Sequence, residues 1–139
     1  MTALAALIPH AGAMVLLDRV IRWDAESIVC AARSHLDPAN PLRHGGRLAC
    51  VCGVEYALQA AALHGALLAD GRAQPAGYAA SLRNVAMQVA QLDDPALGEL
   101  SVRSLLASQE SFGMVYDFSV ESEAGAPLIA GRFSIALPR

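Results

Sequence analysis

LACVCGVEYALQAAALHGALLA, residues 48–69, is the stretch on which the fold turns. A bilayer-spanning helix needs about 20 apolar residues, and this run has the length. It also carries Glu55, Gln59 and His64 well inside. A carboxylate near mid-membrane costs about 2.5 to 3.5 kcal/mol, so a membrane span is rejected. The remaining reading is a helix rich in alanine and leucine and apolar on nearly every face, which in water must be enclosed by the rest of the chain.

The segments on either side supply the enclosure. Downstream, after a loop at residues 70–77, four stretches read as strands, at 85–89, 100–106, 112–121 and 129–137. The clearest alternation sets Phe112, Met114, Tyr116, Phe118 and Val120 against Gly113, Val115, Asp117, Ser119 and Glu121. Turn-forming residues separate the strands at 93–95, 109–111 and 123–125, and such short connections predict an antiparallel meander. Upstream, Met14–Trp23 and Ser27–Ser34 read as two strands around a turn at Asp24, and Ala3–Ile8 as a short helix. The economical packing of that order is an α+β hotdog fold, a curved antiparallel sheet wrapped around one long central helix, in a single domain over residues 1–139. One sheet over one helix leaves edges unpaired, which predicts dimerisation.

Composition narrows the function. Apolar residues are 55% of the 139 and charged residues 17%, a balance that buries a core and excludes disorder. The net charge is −3, and the 10 cations are arginines scattered without a basic run, so neither nucleic acid nor an anionic membrane surface is an expected partner. Three cysteines and no secretory leader point to a cytoplasmic protein. Cys50 and Cys52 lack further ligands at zinc-site spacing and read as small hydrophobes, so no metal is expected. No nucleophile elbow, phosphate loop or dinucleotide fingerprint is present, so no cofactor is expected.

Two stretches carry a resemblance. PHAGAMVLLDRV at residues 9–20 resembles the P-H-R-x-P-F-L-L-V-D-R-V opening of the 3-hydroxyacyl-[acyl carrier protein] dehydratases, and GVEYALQAA at 53–61 resembles the helix of that family, whose catalytic acid is followed four residues later by glutamine. The match is closest to the accessory dehydratase-like proteins of aryl polyene and related fatty-acid-type clusters. The main family's H-F-P-G-x-P-x-x-P-G loop is missing. Residues 38–47 read PANPLRHGGR instead, with His44 eleven residues before Glu55.

Dehydration of a 3-hydroxyacyl thioester needs a base for the proton beside the carbonyl, an acid for the departing hydroxyl and donors for the enolate oxygen. Glu55 is the leading candidate for one proton role, because desolvation in an apolar helix raises a carboxylate's pKa toward neutrality. A salt bridge to a strand arginine such as Arg83 is the plainer alternative. Gln59, one turn on, is placed to line the same acyl tunnel. Gly53 and the amides near it are candidate oxyanion donors, or Gly53 merely permits close packing. His44, in a glycine-flanked loop, ranks first as the second proton carrier and His10 second. His35 reads as a surface or interface residue. His64 lies about 180 degrees around the helix from Glu55 and is excluded as its partner.

The resemblance implies a dehydratase, or a dehydratase subunit, that acts on 3-hydroxyacyl thioesters of acyl carrier protein and gives trans-2-enoyl products. Its partners would be the acyl carrier protein and a second hotdog chain, in a homodimer or heterodimer. A weakly catalytic or non-catalytic partner subunit and a hotdog thioesterase are the alternatives.

Overall fold

A computed structural model describes residues 14–70 and 77–137; the N-terminal helix expected at Ala3–Ile8 lies outside them. Six strands, β1 Arg19–Trp23, β2 Ser27–Ala32, β3 Tyr78–Met87, β4 Leu100–Glu110, β5 Gly113–Glu121 and β6 Pro127–Ala136, surround the helix α1, Gly53–Leu68. They form one antiparallel sheet in the order β1-β2-β4-β5-β6-β3. This is the hotdog arrangement.

The helix starts at Gly53, five residues into the apolar run read as helical, and a 3-10 turn, Cys50–Cys52, runs straight into it. The helical stretch Cys50–Leu68 has a mean hydropathy of 1.3, enough for a membrane span, but 56% of it is buried within the protein. Alanines at 57, 60, 61 and 66 let the sheet come close, and Tyr116, Phe118 and Phe133 fill the concave face. Phe118 and Phe133 stack at 5.4 Å between ring centroids. The outer face of the sheet is polar, with Asp117 and Arg132 paired across β5 and β6 at 2.8 Å.

The expected four-strand meander is corrected. Only β4, β5 and β6 form one; β3 crosses to the far side and pairs with β6. Its connection to β4 passes the start of the helix, where Cys50 donates to the Ala90 carbonyl and Leu92 to the Leu48 carbonyl at 3.0 and 2.8 Å. The link therefore pins the entry to α1. Strand β3 also starts earlier than its alternation suggested, because as an edge strand it is exposed along most of both faces and its sequence has no buried side to mark. Residues 14–18 precede β1 as an extended lead-in.

Gly53 sits where α1 meets β5 and β6. A Cβ there would stand 2.7 Å from Ile129 Cγ2, and the β-branched isoleucine has little rotamer freedom to yield. Gly53→Ala is expected to lower the denaturant midpoint despite alanine's gain of about 0.8 to 1.0 kcal/mol in helix propensity, since overpacking costs about 1 to 3 kcal/mol. A raised midpoint would show that the junction has slack.

Candidate active site

Helix α1 carries four polar side chains, Glu55, Tyr56, Gln59 and His64, and three of them are spent on the protein itself. His64 is fully buried, with Nε2 2.8 Å from the Asp24 carbonyl and Nδ1 2.9 Å from the Tyr116 hydroxyl. A carbonyl only accepts, so Nε2 donates, and in the neutral ring Nδ1 is left to accept from Tyr116. His64 thus ties the β1–β2 turn to the helix, and the geometry agrees with its exclusion from Glu55's surroundings.

Gln59, 1% exposed, accepts from the Leu16 amide at 2.9 Å and donates to the Met14 carbonyl. Its amide clamps the segment before β1. Gly53 is likewise committed: its N–H donates to the carbonyls of Cys50 and Val51, so it is not a free oxyanion donor. Both residues thus have polar groups bonded within the protein, because the first turns of a helix inside a sheet must satisfy their own donors and acceptors.

Tyr56, fully buried, heads a third anchor. Its hydroxyl lies 2.7 Å from Ser34 Oγ and accepts from Asn40 Nδ2 at 3.0 Å. Ser34 donates its own proton to the Leu16 carbonyl at 2.7 Å, so Tyr56 donates to Ser34. Burial pushes the Tyr56 phenol up, with Ser34 and Asn40 opposing it.

Glu55 alone is unspent. It stands partly exposed in the first turn, and among the described residues no hydrogen bond or ion pair engages its carboxylate; Arg83 is exposed on β3 and does not pair with it. It heads a stripe with Leu58, Ala62 and Gly65, all partly exposed and otherwise apolar. The Cys52 thiol, three residues before it, is pushed up by burial first and by the Glu55 charge as well.

His44 lies on an exposed two-residue hairpin in which it pairs with Arg47, with Gly45 and Gly46 at φ of 59° and 76°. Two consecutive positive φ angles suit glycine. The loop is fixed to the start of α1 through Asn40 and through the Cys52 thiol, 3.9 Å from the Leu42 carbonyl. No hydrogen bond or ion pair joins His44 to Glu55. His10 lies outside the described residues.

A family model described as ApeP dehydratase matches residues 2–139. The chain belongs to the ApeP-like dehydratase family. Among solved structures, the dehydratase heterocomplex ApeI:P from Xenorhabdus doucetiae matches with a TM-score of 0.83 at 20% identity, over 100% of this chain and 93% of that one. A hypothetical thioesterase with coenzyme A from Streptococcus pneumoniae matches at 0.56 and 15% identity, over 86% and 84%. The E. coli PaaI protein from the phenylacetic acid degradation operon matches at 0.58 and 16%, over 84% and 80%. At such identities these likenesses establish the hotdog fold. No match was found among curated protein sequences.

In this ApeP-like chain two sequence readings change. His35, expected at a surface or interface, is fully buried within the chain in the turn after β2. Asn40, Ser34 and Tyr56 were missed as a set. The available signal was Tyr56 itself, since a buried tyrosine hydroxyl needs a partner. Among the described residues no cluster of His, Cys, Asp and Glu could hold a metal ion. The buried Cys30 thiol is pushed up to about 12.

Neither ring nitrogen of His35 has a partner in hydrogen-bond geometry. Burial lowers its pKa, the Gly98 backbone and Asp18 oppose this from nearby, and Arg33 and Arg43 reinforce it. A histidine whose pKa is lower folded than unfolded leaves stability intact above about pH 6.5, and stability is lost as pH falls toward the folded value. Denaturant midpoints are therefore expected to fall between about pH 7 and pH 5, and less steeply in His35→Leu. Equal slopes would show that His35 does not set the acid limb.

Proposed function

We propose that this chain works in the dehydration of 3-hydroxyacyl thioesters carried by acyl carrier protein, giving trans-2-enoyl products. The observation that carries the reading is Glu55, the one polar side chain of α1 without a hydrogen bond among the described residues, in a chain of a dehydratase family. In the reaction a base removes a proton from the carbon beside the thioester carbonyl, and an acid delivers one to the hydroxyl on the next carbon. The C–H and C–O bonds break, the double bond forms between the two carbons, and water leaves. Glu55 takes one of these proton roles. A histidine takes the other: His44 first, since its loop is tied to the helix turn that bears Glu55, and His10 second.

The reading includes a second hotdog chain. Strand β3 exposes Tyr78, Leu82 and Met87, at 64%, 44% and 52%, along an unpaired sheet edge. Such an edge is suited to continuing the sheet into a partner. The ApeI:P structure is a heterocomplex. That, with no histidine among the described residues hydrogen-bonded or ion-paired to Glu55, supports the second form of the proposal: this chain is a subunit whose site is completed by a fuller dehydratase. The thioesterase alternative has only the shared fold behind it.

Glu55→Gln keeps the size of the side chain and removes its exchangeable proton. Dehydration of a 3-hydroxyacyl-carrier substrate, followed as enoyl product, is expected to drop about a hundredfold or more, in the protein alone or after mixing with its cognate dehydratase. Full activity in the folded variant in both settings would remove Glu55 from the chemistry.

A further inference from the structure

We propose that Asn40 and Tyr56 are positioning residues for the reaction, fixing the loop that carries His44 against the helix turn that carries Glu55. The inference rests on the reading above, in which a carboxylate on α1 and a loop histidine share the proton transfers.

Asn40 is 6% exposed and every polar atom of its side chain is used. Its Nδ2 donates to the Tyr56 hydroxyl at 3.0 Å and to the Ser34 carbonyl at 2.9 Å, and its Oδ1 accepts from the Leu42 amide at 2.9 Å. One side chain thus joins the helix, the 3-10 turn Ser34–Leu36 after β2 and the loop beyond it. Tyr56 immediately follows Glu55 in the sequence, so its hydroxyl is the polar hold nearest to the carboxylate along α1.

From Asn40 the loop is stitched continuously to His44. Arg43 donates its amide to the Asn40 carbonyl at 3.1 Å, and the His44 amide donates to the Arg47 carbonyl at 2.8 Å. The Arg43 guanidinium braces the loop from within, donating to the carbonyls of Gly46 and His35 at 3.2 Å each, with Asp93 at 3.8 Å. A shift of Asn40 against Tyr56 therefore carries the His44 hairpin with it. The other attachments are longer: the Cys52 thiol, a weak donor, lies 3.9 Å from the Leu42 carbonyl, and the Arg43 guanidinium lies 3.2 Å from the His35 carbonyl and 3.8 Å from Asp93. In an assembled pair the same bonds fix His44 against its own protomer, so they act whether the carboxylate it meets is its own or its neighbour's.

The test is a double-mutant cycle on the assembled protein, including its dehydratase partner where one is needed for turnover. Tyr56→Phe is expected to lower kcat about tenfold or more with KM within about twofold, because small displacements of a catalytic group are costly. Adding His44→Ala to Tyr56→Phe is expected to change kcat by less than about twofold beyond His44→Ala alone, since a residue acting through His44 then has nothing to position. Wild-type kcat in Tyr56→Phe, or losses that multiply in the double variant, would overturn the proposal. Should Tyr56→Phe fail to fold, Asn40→Asp carries the same cycle, keeping the acceptor for Leu42 and removing the donors. Glu55→Gln separates the two readings. Intact turnover there removes the proton-transfer reading and this one with it, whereas loss in Glu55→Gln and His44→Ala beside an unaffected Tyr56→Phe removes only the positioning role.

Discussion

The structure depends on enclosing one helix that is apolar almost all round. A helix of that kind is stable in water only when other elements cover it, and here a single curved sheet covers it with Tyr116, Phe118, Phe133 and the aliphatic residues of β2, β4 and β6. Enclosure makes each polar group on the helix expensive unless it is bonded. Three side chains meet that demand by reaching outward to fixed points: Gln59 to the lead-in at Met14 and Leu16, Tyr56 to Ser34 and Asn40, His64 to Tyr116 and Asp24. The polar anchors of the core therefore also place the surrounding loops.

Against that pattern Glu55 is distinct. The same helix that spends every other polar side chain on its own fold leaves one carboxylate unbonded among the described residues, at the head of a partly exposed apolar stripe. A carboxylate with no hydrogen bond among the described residues is available for chemistry or for an assembly partner. The two uses coincide where a hotdog pair shares one site.

Much of this was legible in the residues. The length and apolarity of Leu48–Ala69, broken only by Glu55, Gln59 and His64, were enough to predict a sheet-wrapped helix, and the alternation of β5 marked the sheet. What escaped reading followed from the same physics. The edge strand β3 has no buried face, so its pattern is flat and its pairing with β6 could not be foreseen. Gln59 stood at a spacing that fits a tunnel wall, and its clamp on the Met14 and Leu16 backbone was not legible because those partners lie 45 and 43 residues away in sequence. His35 follows a strand whose sequence looks terminal, while its burial comes from packing beneath Arg43 and Gly98 that is remote in sequence.

The central claim, that Glu55 faces the reacting carbons, is tested most directly by a crystal structure of the assembled protein bound to a non-hydrolysable 3-hydroxyacyl pantetheine analogue. The account predicts the analogue's hydroxyl or its adjacent carbon within about 3.2 Å of the Glu55 carboxylate or of one bridging water, the reach that proton transfer requires. An analogue bound with Glu55 turned away from both carbons would contradict it.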